Sequence, residues 1–119
     1  MEKFSLDALV REHAELARQV PAGRSAVTIQ GGHERVLRQT VIAMTQGTVL
    51  DEHENPGEAT LQVLAGEVRL SAGSTSWDGA AGDLLRIPAA RHELLAVVDC
   101  AVLLTVAVHT RAPVPPAGQ

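Results

Sequence analysis

From Gly23 onward the chain is cut into short runs rich in β-branched residues: SAVTIQ, ERVLRQTVIAM, ATLQVL, EVRLSA, STSW, DLLRIP, HELLAVV and AVLLTVAV. The turn-forming pieces GG, QG, NPG, AG, DG and AGD separate them. Many short strands with turn residues between them, and no second helical pattern, predict a β-sandwich or barrel. The last run, Ala101 to Val108, is apolar at every second position in both registers apart from Thr105. Such a strand has to be covered on both faces, by a second sheet layer, by a helix or by another subunit.

One helix precedes the strands. Leu6, Leu9, Val10, Leu16 and Ala17 recur at helical spacing, Ser5 is placed to cap the first turn, and Pro21-Ala22-Gly23 stops the helix. His13 falls on or beside the apolar stripe and reads as a packed helix residue rather than a ligand. The domain plan that follows is a helix and turn over residues 1–24, a barrel over 25–110 and a loose tail over 111–119, which holds three of the six prolines.

Composition narrows the function classes. Aromatic residues make up 2% of the chain and the formal net charge is −4, so neither base stacking nor a cationic grip on phosphates is available, and nucleic acid is not an expected partner. The N-terminal segment MEKFSLDALVREHAELARQV is broken by charge every few residues, which excludes a signal-peptide core or a membrane span there. A single cysteine leaves no disulfide framework, and a reducing, cytoplasmic setting is expected. No Gly-x-Ser-x-Gly elbow, Walker motif or Cys-x-x-Cys pair is present.

Two segments place histidines at strand ends. In the first, Gly47 is followed by five residues and His53, Pro56-Gly57 turns the chain into the strand Ala59 to Leu64, and Gly66 closes it. In the second, Gly82-Asp83 leads through a strand to Ile87-Pro88 and then to His92. Together they resemble the two conserved motifs of the cupin superfamily, over roughly residues 40 to 106. In that family the first motif is glycine, five residues, His-x-His, three or four residues, Glu, six residues and Gly. The second is glycine, five residues, Pro-x-Gly, two residues and His. The framework positions Gly47, Gly66, Gly82 and Pro88 all match. The resemblance implies an all-β fold, a double-stranded β-helix (jelly-roll barrel) with one N-terminal α-helix. It also implies a pocket inside the barrel and a homodimer, in which the helix or the strand near Ala26 to Gln30 extends or covers the neighbour's sheet.

The ligand set is edited. His53 and His92 match motif histidines, but Asn55 stands at the second histidine, Ala59 (or Thr60 with the longer spacing) at the glutamate, and Ala90 at the second-motif glycine, with the loop to His92 one residue short. Family members hold Fe, Mn, Zn, Ni or Cu with four such ligands. A transition metal commonly needs three or four protein donors, an amide oxygen is a weak neutral donor, and an alanine donates nothing. The expectation is therefore no cofactor, or a weakly bound Fe, Mn, Ni or Zn held by His53 and His92, with Glu58 as a ligand only if the strand slips by one residue. Asp51, Glu52 and Glu54 read as solvated loop charges.

The pocket is expected to be lined by His53, Asn55, Ala59, Leu61, Val63, His92, Leu94 and Gln39, with Arg38 and Thr40 as the alternative to Gln39 if the opposite parity of that strand faces inward. Gln62 shares the register of Glu58 and faces away, Arg91 could guard the mouth, Trp77 packs over a barrel end or an interface, and Cys100 is a small buried hydrophobe. The functional expectation is a small-molecule-binding barrel with weak or no metal affinity. The alternative is an enzyme, either a metal-dependent oxidoreductase or isomerase or a metal-free acid/base catalyst, using His53 and His92.

Overall fold

The structure is a computed structural model that describes residues 2–32, 34–52 and 57–108; His53, Asn55 and the tail lie outside the described residues. Helix α1 spans Leu6–Gln19. Its N-cap is Ser5, whose hydroxyl accepts from the Ala8 amide at 3.2 Å, and Asp7 in the first turn and Arg18 in the last suit the helix dipole. The helix ends where Val20 turns extended, ahead of Pro21.

Nine strands follow: β1 (Arg24–Gln30), β2 (Leu37–Met44), β3 (Val49–Glu52), β4 (Gly57–Ala65), β5 (Glu67–Ala72), β6 (Thr75–Ala80), β7 (Leu84–Arg86), β8 (His92–Ala96) and β9 (Cys100–Val108). They form a five-stranded sheet in the order β1-β2-β9-β4-β7 and a four-stranded sheet in the order β3-β8-β5-β6, with every pairing antiparallel. The chain passes from sheet to sheet at short connections, and between β4 and β5 a single residue, Gly66, makes the crossing. That alternation wraps the two sheets around one core in the manner of a jelly roll. β3 is a correction to the sequence reading, which left Asp51 and Glu52 in a loop. They belong to a strand that pairs with β8, and four residues with Leu50 packed against the core give it too short a pattern to read.

Alternation along the strands fills the interior. Ile42 and Met44 of β2, Leu61 and Val63 of β4 and Val102 of β9 meet Val68 and Leu70 of β5 and Leu94 and Ala96 of β8, all buried. Each of these side chains larger than alanine contributes about 1.5–3 kcal/mol of apolar burial. Gly79 of β6 lets the open side of the sandwich close, since a Cβ there would stand 3.1 Å from Leu85 Cδ1 and 3.2 Å from Val63 Cγ2.

The outer face of the five-stranded sheet is covered at one end by α1. Ala17 packs with Ala43 of β2 and Ala101 of β9, and Val10, Ala14, Leu64 and Ala65 surround them. Facing alanines let the helix axis come close to the sheet, which accounts for the doubly apolar β9: it lies in mid-sheet between core and helix. His13, buried on the same side of the helix, bonds through Nδ1 to Ser25 Oγ of β1 at 2.7 Å. It is a packed residue that ties helix to sheet. At the helix exit the Gly23 carbonyl accepts from the Thr45 amide at 2.8 Å and from the Thr45 and Thr48 hydroxyls at 3.2 and 3.4 Å.

Candidate functional site

His92 opens β8 and is paired with Glu52 across to β3. It shares the inward parity of Leu94 and Ala96 and is only 5% exposed. Its Nδ1 lies 2.9 Å from the Ala90 carbonyl. A carbonyl can only accept, so Nδ1 carries a proton and donates to it. The tight Pro88–Arg91 connection, one residue shorter than the family pattern, brings the Ala90 carbonyl within reach of the ring.

Beneath the imidazole is a small interior cavity walled by Leu50, Leu61, Leu70, Leu94 and Leu104, together with Ile42, Ile87 and His92. Among the described residues, His92 is the one polar side chain on its wall. Its volume is about 10 Å³, room for roughly one water-sized probe. On the other face of the same strands lies an open depression of about 410 Å³, lined by Asp51, Ser71, Gly73, Arg91, His92 and Glu93. Asp51 and Glu93 are direct cross-strand partners there.

Each residue singled out from the sequence now has a place. Leu61 and Leu94 wall the cavity, whereas Val63 is buried one row deeper, against Gly79, and does not line it. Ala59 packs against the core one row nearer the barrel end than Leu61, and its carbonyl accepts from the Ile87 amide. Gln39 requires correction. The β2–β9 register runs unbroken from Leu37 to Met44, so Gln39 has the parity of Val41 and Ala43, on the face that meets α1, and it donates to Thr105 Oγ1 at 3.3 Å. The inward parity belongs to Arg38 and Thr40, which precede the core residues Ile42 and Met44. Glu58 is exposed, pairs with Ala107 and has the opposite parity to Ala59, because β4 keeps its register from Gly57 to Val63. The one-residue slip that would turn it inward is absent. Gln62 is exposed on that outer face. Trp77, 43% exposed, lies opposite Leu70 on the edge strand β6.

The donor set decides what metal the described residues could hold. Among them no three His, Cys, Asp or Glu side chains are grouped to hold an ion, and on the inner wall His92 is the only imidazole, so these residues alone do not fit a transition-metal centre. Ile42, Leu50, Leu70, Ile87 and Leu104 line the cavity without having been singled out from the sequence. The alternation of each strand carries their signal, but which strands face one another only the topology reveals. Cys100 is buried, and burial first, with the Asp99 carboxylate second, pushes its thiol up to about 11, an inert rather than a reactive cysteine.

No family profile and no curated protein match the chain. Solved structures do. A conserved protein of unknown function from Streptococcus pyogenes superimposes with a TM-score of 0.68 at 24% identity, over 76% of this chain and 78% of that one. A cupin superfamily protein from Desulfitobacterium hafniense matches with a TM-score of 0.67 at 17% identity, over 79% and 88% of the two chains. An RmlC-like cupin from Desulfovibrio desulfuricans matches at 0.61 and 24%, over 71% and 81%. The protein therefore has the cupin fold: the double-stranded β-helix anticipated from its glycine and proline framework, fronted by one helix. No helix among the described residues is long and apolar enough to cross a membrane.

Proposed function

We propose that this barrel binds one small molecule at its open end, around His92 and His53, with weak or no metal affinity. The observation that carries the reading is the position of His92: a buried imidazole, oriented by the Ala90 carbonyl, is the single polar side chain that the described residues place on an otherwise aliphatic cavity wall. Sites of this kind use a few placed polar groups to orient a ligand and apolar walls to hold it. A cavity of about 10 Å³ accepts no more than a methyl-sized end. The body of the ligand therefore rests at the mouth, and only its tip enters.

A thermal-shift screen of butyl to octyl alcohols, amides and carboxylates tests this. Ligands that raise the melting temperature of the wild-type protein are expected to lose at least about tenfold in affinity on His92→Leu, a change that keeps the volume but removes the polar group. Unchanged binding in the variant would remove His92 from the site. Elemental analysis of protein purified without chelator or polyhistidine tag covers the metal half of the proposal. Stoichiometric Fe, Mn, Ni or Zn that is lost on His53→Ala or His92→Ala would overturn it.

The same reading includes a cytoplasmic homodimer. Its support is β1, the terminal strand of the five-stranded sheet and therefore an edge onto which a second copy can add. Sedimentation should give twice the 12.5 kDa chain mass; a monomer at micromolar concentration would contradict it.

A further inference from the structure

Arg38 stands apart from the acidic residues whose side chains are described at the His92 end of the barrel. The acidic side chains described there, Asp51, Glu58 and Glu93, have the outward parity of their strands. Arg38 has the inward one: the unbroken β2–β9–β4 register sets it in a row with Val106 and Ala59, and the Ala59 carbonyl bonds the amide of Ile87, a cavity-wall residue. Toward the core on the same face of β2 come Thr40, whose hydroxyl lies 3.2 Å from that of Thr28, and then Ile42 on the cavity wall. Strand β2 therefore presents, from rim to floor, a guanidinium, a hydroxyl paired with that of Thr28 on β1, and an aliphatic side chain. Arg38 is exposed, and no carboxylate among the described residues is within salt-bridge distance of it.

That sequence of groups matches an amphipathic anion. A guanidinium offers a planar fork of donors that suits a carboxylate, an ammonium does not satisfy it, and a hydroxyl uses it poorly. Resting on the small-molecule reading above, we infer that the ligand class of this barrel is a short-chain monocarboxylate, its carboxylate on Arg38 and its alkyl end directed past Thr40 toward Ile42 and Leu104. No bond is made or broken in this step; it is recognition of charge at the rim and of shape below it.

Calorimetric titration with hexanoate, hexanol and hexylamine, equal in chain length and different in head group, tests it in wild type, Arg38→Gln and Arg35→Gln. Arg35 is an exposed arginine on the same hairpin, beside Glu2 and Phe4, and controls for general charge. Hexanoate is expected to bind at least about tenfold more tightly than hexanol, with the preference lost in Arg38→Gln and kept in Arg35→Gln. Equal binding of hexanoate and hexanol in wild type, with both weakened by His92→Leu, would overturn the carboxylate inference and leave the pocket standing. Tighter binding of hexylamine would overturn it in favour of the acidic residues at this end. Loss of the preference in Arg35→Gln as well as in Arg38→Gln would overturn it too, reducing it to net charge. If none of the three binds, the pocket reading falls and the inference falls with it.

Discussion

Gly66→Ala should destabilise the protein by more than about 3 kcal/mol, lowering its melting temperature by roughly 10–20 °C for a chain of this size. Gly66 is the entire connection between β4 in one sheet and β5 in the other, and it turns the corner with a φ of +75°. A side chain in that region of backbone space costs about 1 kcal/mol by itself. The larger part is steric. A Cβ on Gly66 would stand 2.1 Å from the Asp99 carbonyl oxygen and 2.9 Å from the Cys100 Cα, both backbone atoms at the turn into β9, so no flexible side chain can give way. Gly47, which also has positive φ but has nothing within 4 Å of an added Cβ, is the matched control. Its alanine variant should lose only about 1 kcal/mol, the conformational part. Chemical denaturation of the two variants checks the contrast; equal losses would mean that the approach of Asp99 does not constrain the corner.

The second large effect is alkaline. The Cys100 thiol has an ordinary value of 9.0 and is pushed up to about 11 in the fold, by burial and then by Asp99, against a smaller lowering by a backbone hydrogen bond with Met44. Between those two pH values the unfolded chain gives up the thiol proton while the folded chain keeps it, so the unfolded state binds fewer protons and unfolding free energy falls as pH rises. Below pH 9 the contribution is fully present; by pH 11 about 2–3 kcal/mol has gone. The chain has no tyrosine, and Lys3 is its one lysine, which leaves few other side chains titrating in that window. Denaturation midpoints measured from pH 8 to 11 should therefore slope downward in wild type and much less in Cys100→Ala. Parallel slopes would show that the thiol does not ionise on unfolding.

The fold was legible where one residue type admits one geometry. Ser5 and Pro21 bracketed the helix, and the glycines at 47, 66 and 82 with Pro88 marked the barrel frame. What the motif could not state is why Gly66 must be glycine, because Asp99 lies over thirty residues away in sequence and meets it only in the folded chain. β3 was hidden for a different reason: a four-residue strand in which Leu50 is followed directly by two acids looks like the start of a turn. The parity of β2 was the most instructive difficulty. Val41, Ile42, Ala43 and Met44 are all buried, because the barrel core takes one face and α1 the other. With no polar alternation at that end, the run VLRQTVIAM could not say whether Gln39 or the Arg38–Thr40 pair turned inward. Pairing with β9 decided for Arg38 and Thr40, and thereby supplied the group on which the carboxylate inference rests.

The site itself was half legible. His92 is placed by the second motif, but the orientation of its ring depends on the Ala90 carbonyl, a contact made by the loop's shape. The size of the interior was not readable at all. A list of inward aliphatic residues is the same for an open pocket and for a filled core, and here five leucines and two isoleucines close the space to about 10 Å³.

The most direct test of the central claim, that His92 is where this barrel meets a small molecule, is long-range proton–nitrogen NMR of the histidine rings during titration with hexanoate. The account predicts that before addition His92 shows a protonated Nδ1, and that its ring nitrogen resonances then move saturably with hexanoate while the His13 ring, held by Ser25 on the far face of the sheet, stays fixed. A His92 resonance that does not move while hexanoate binds elsewhere, or that moves only together with His13, would contradict it.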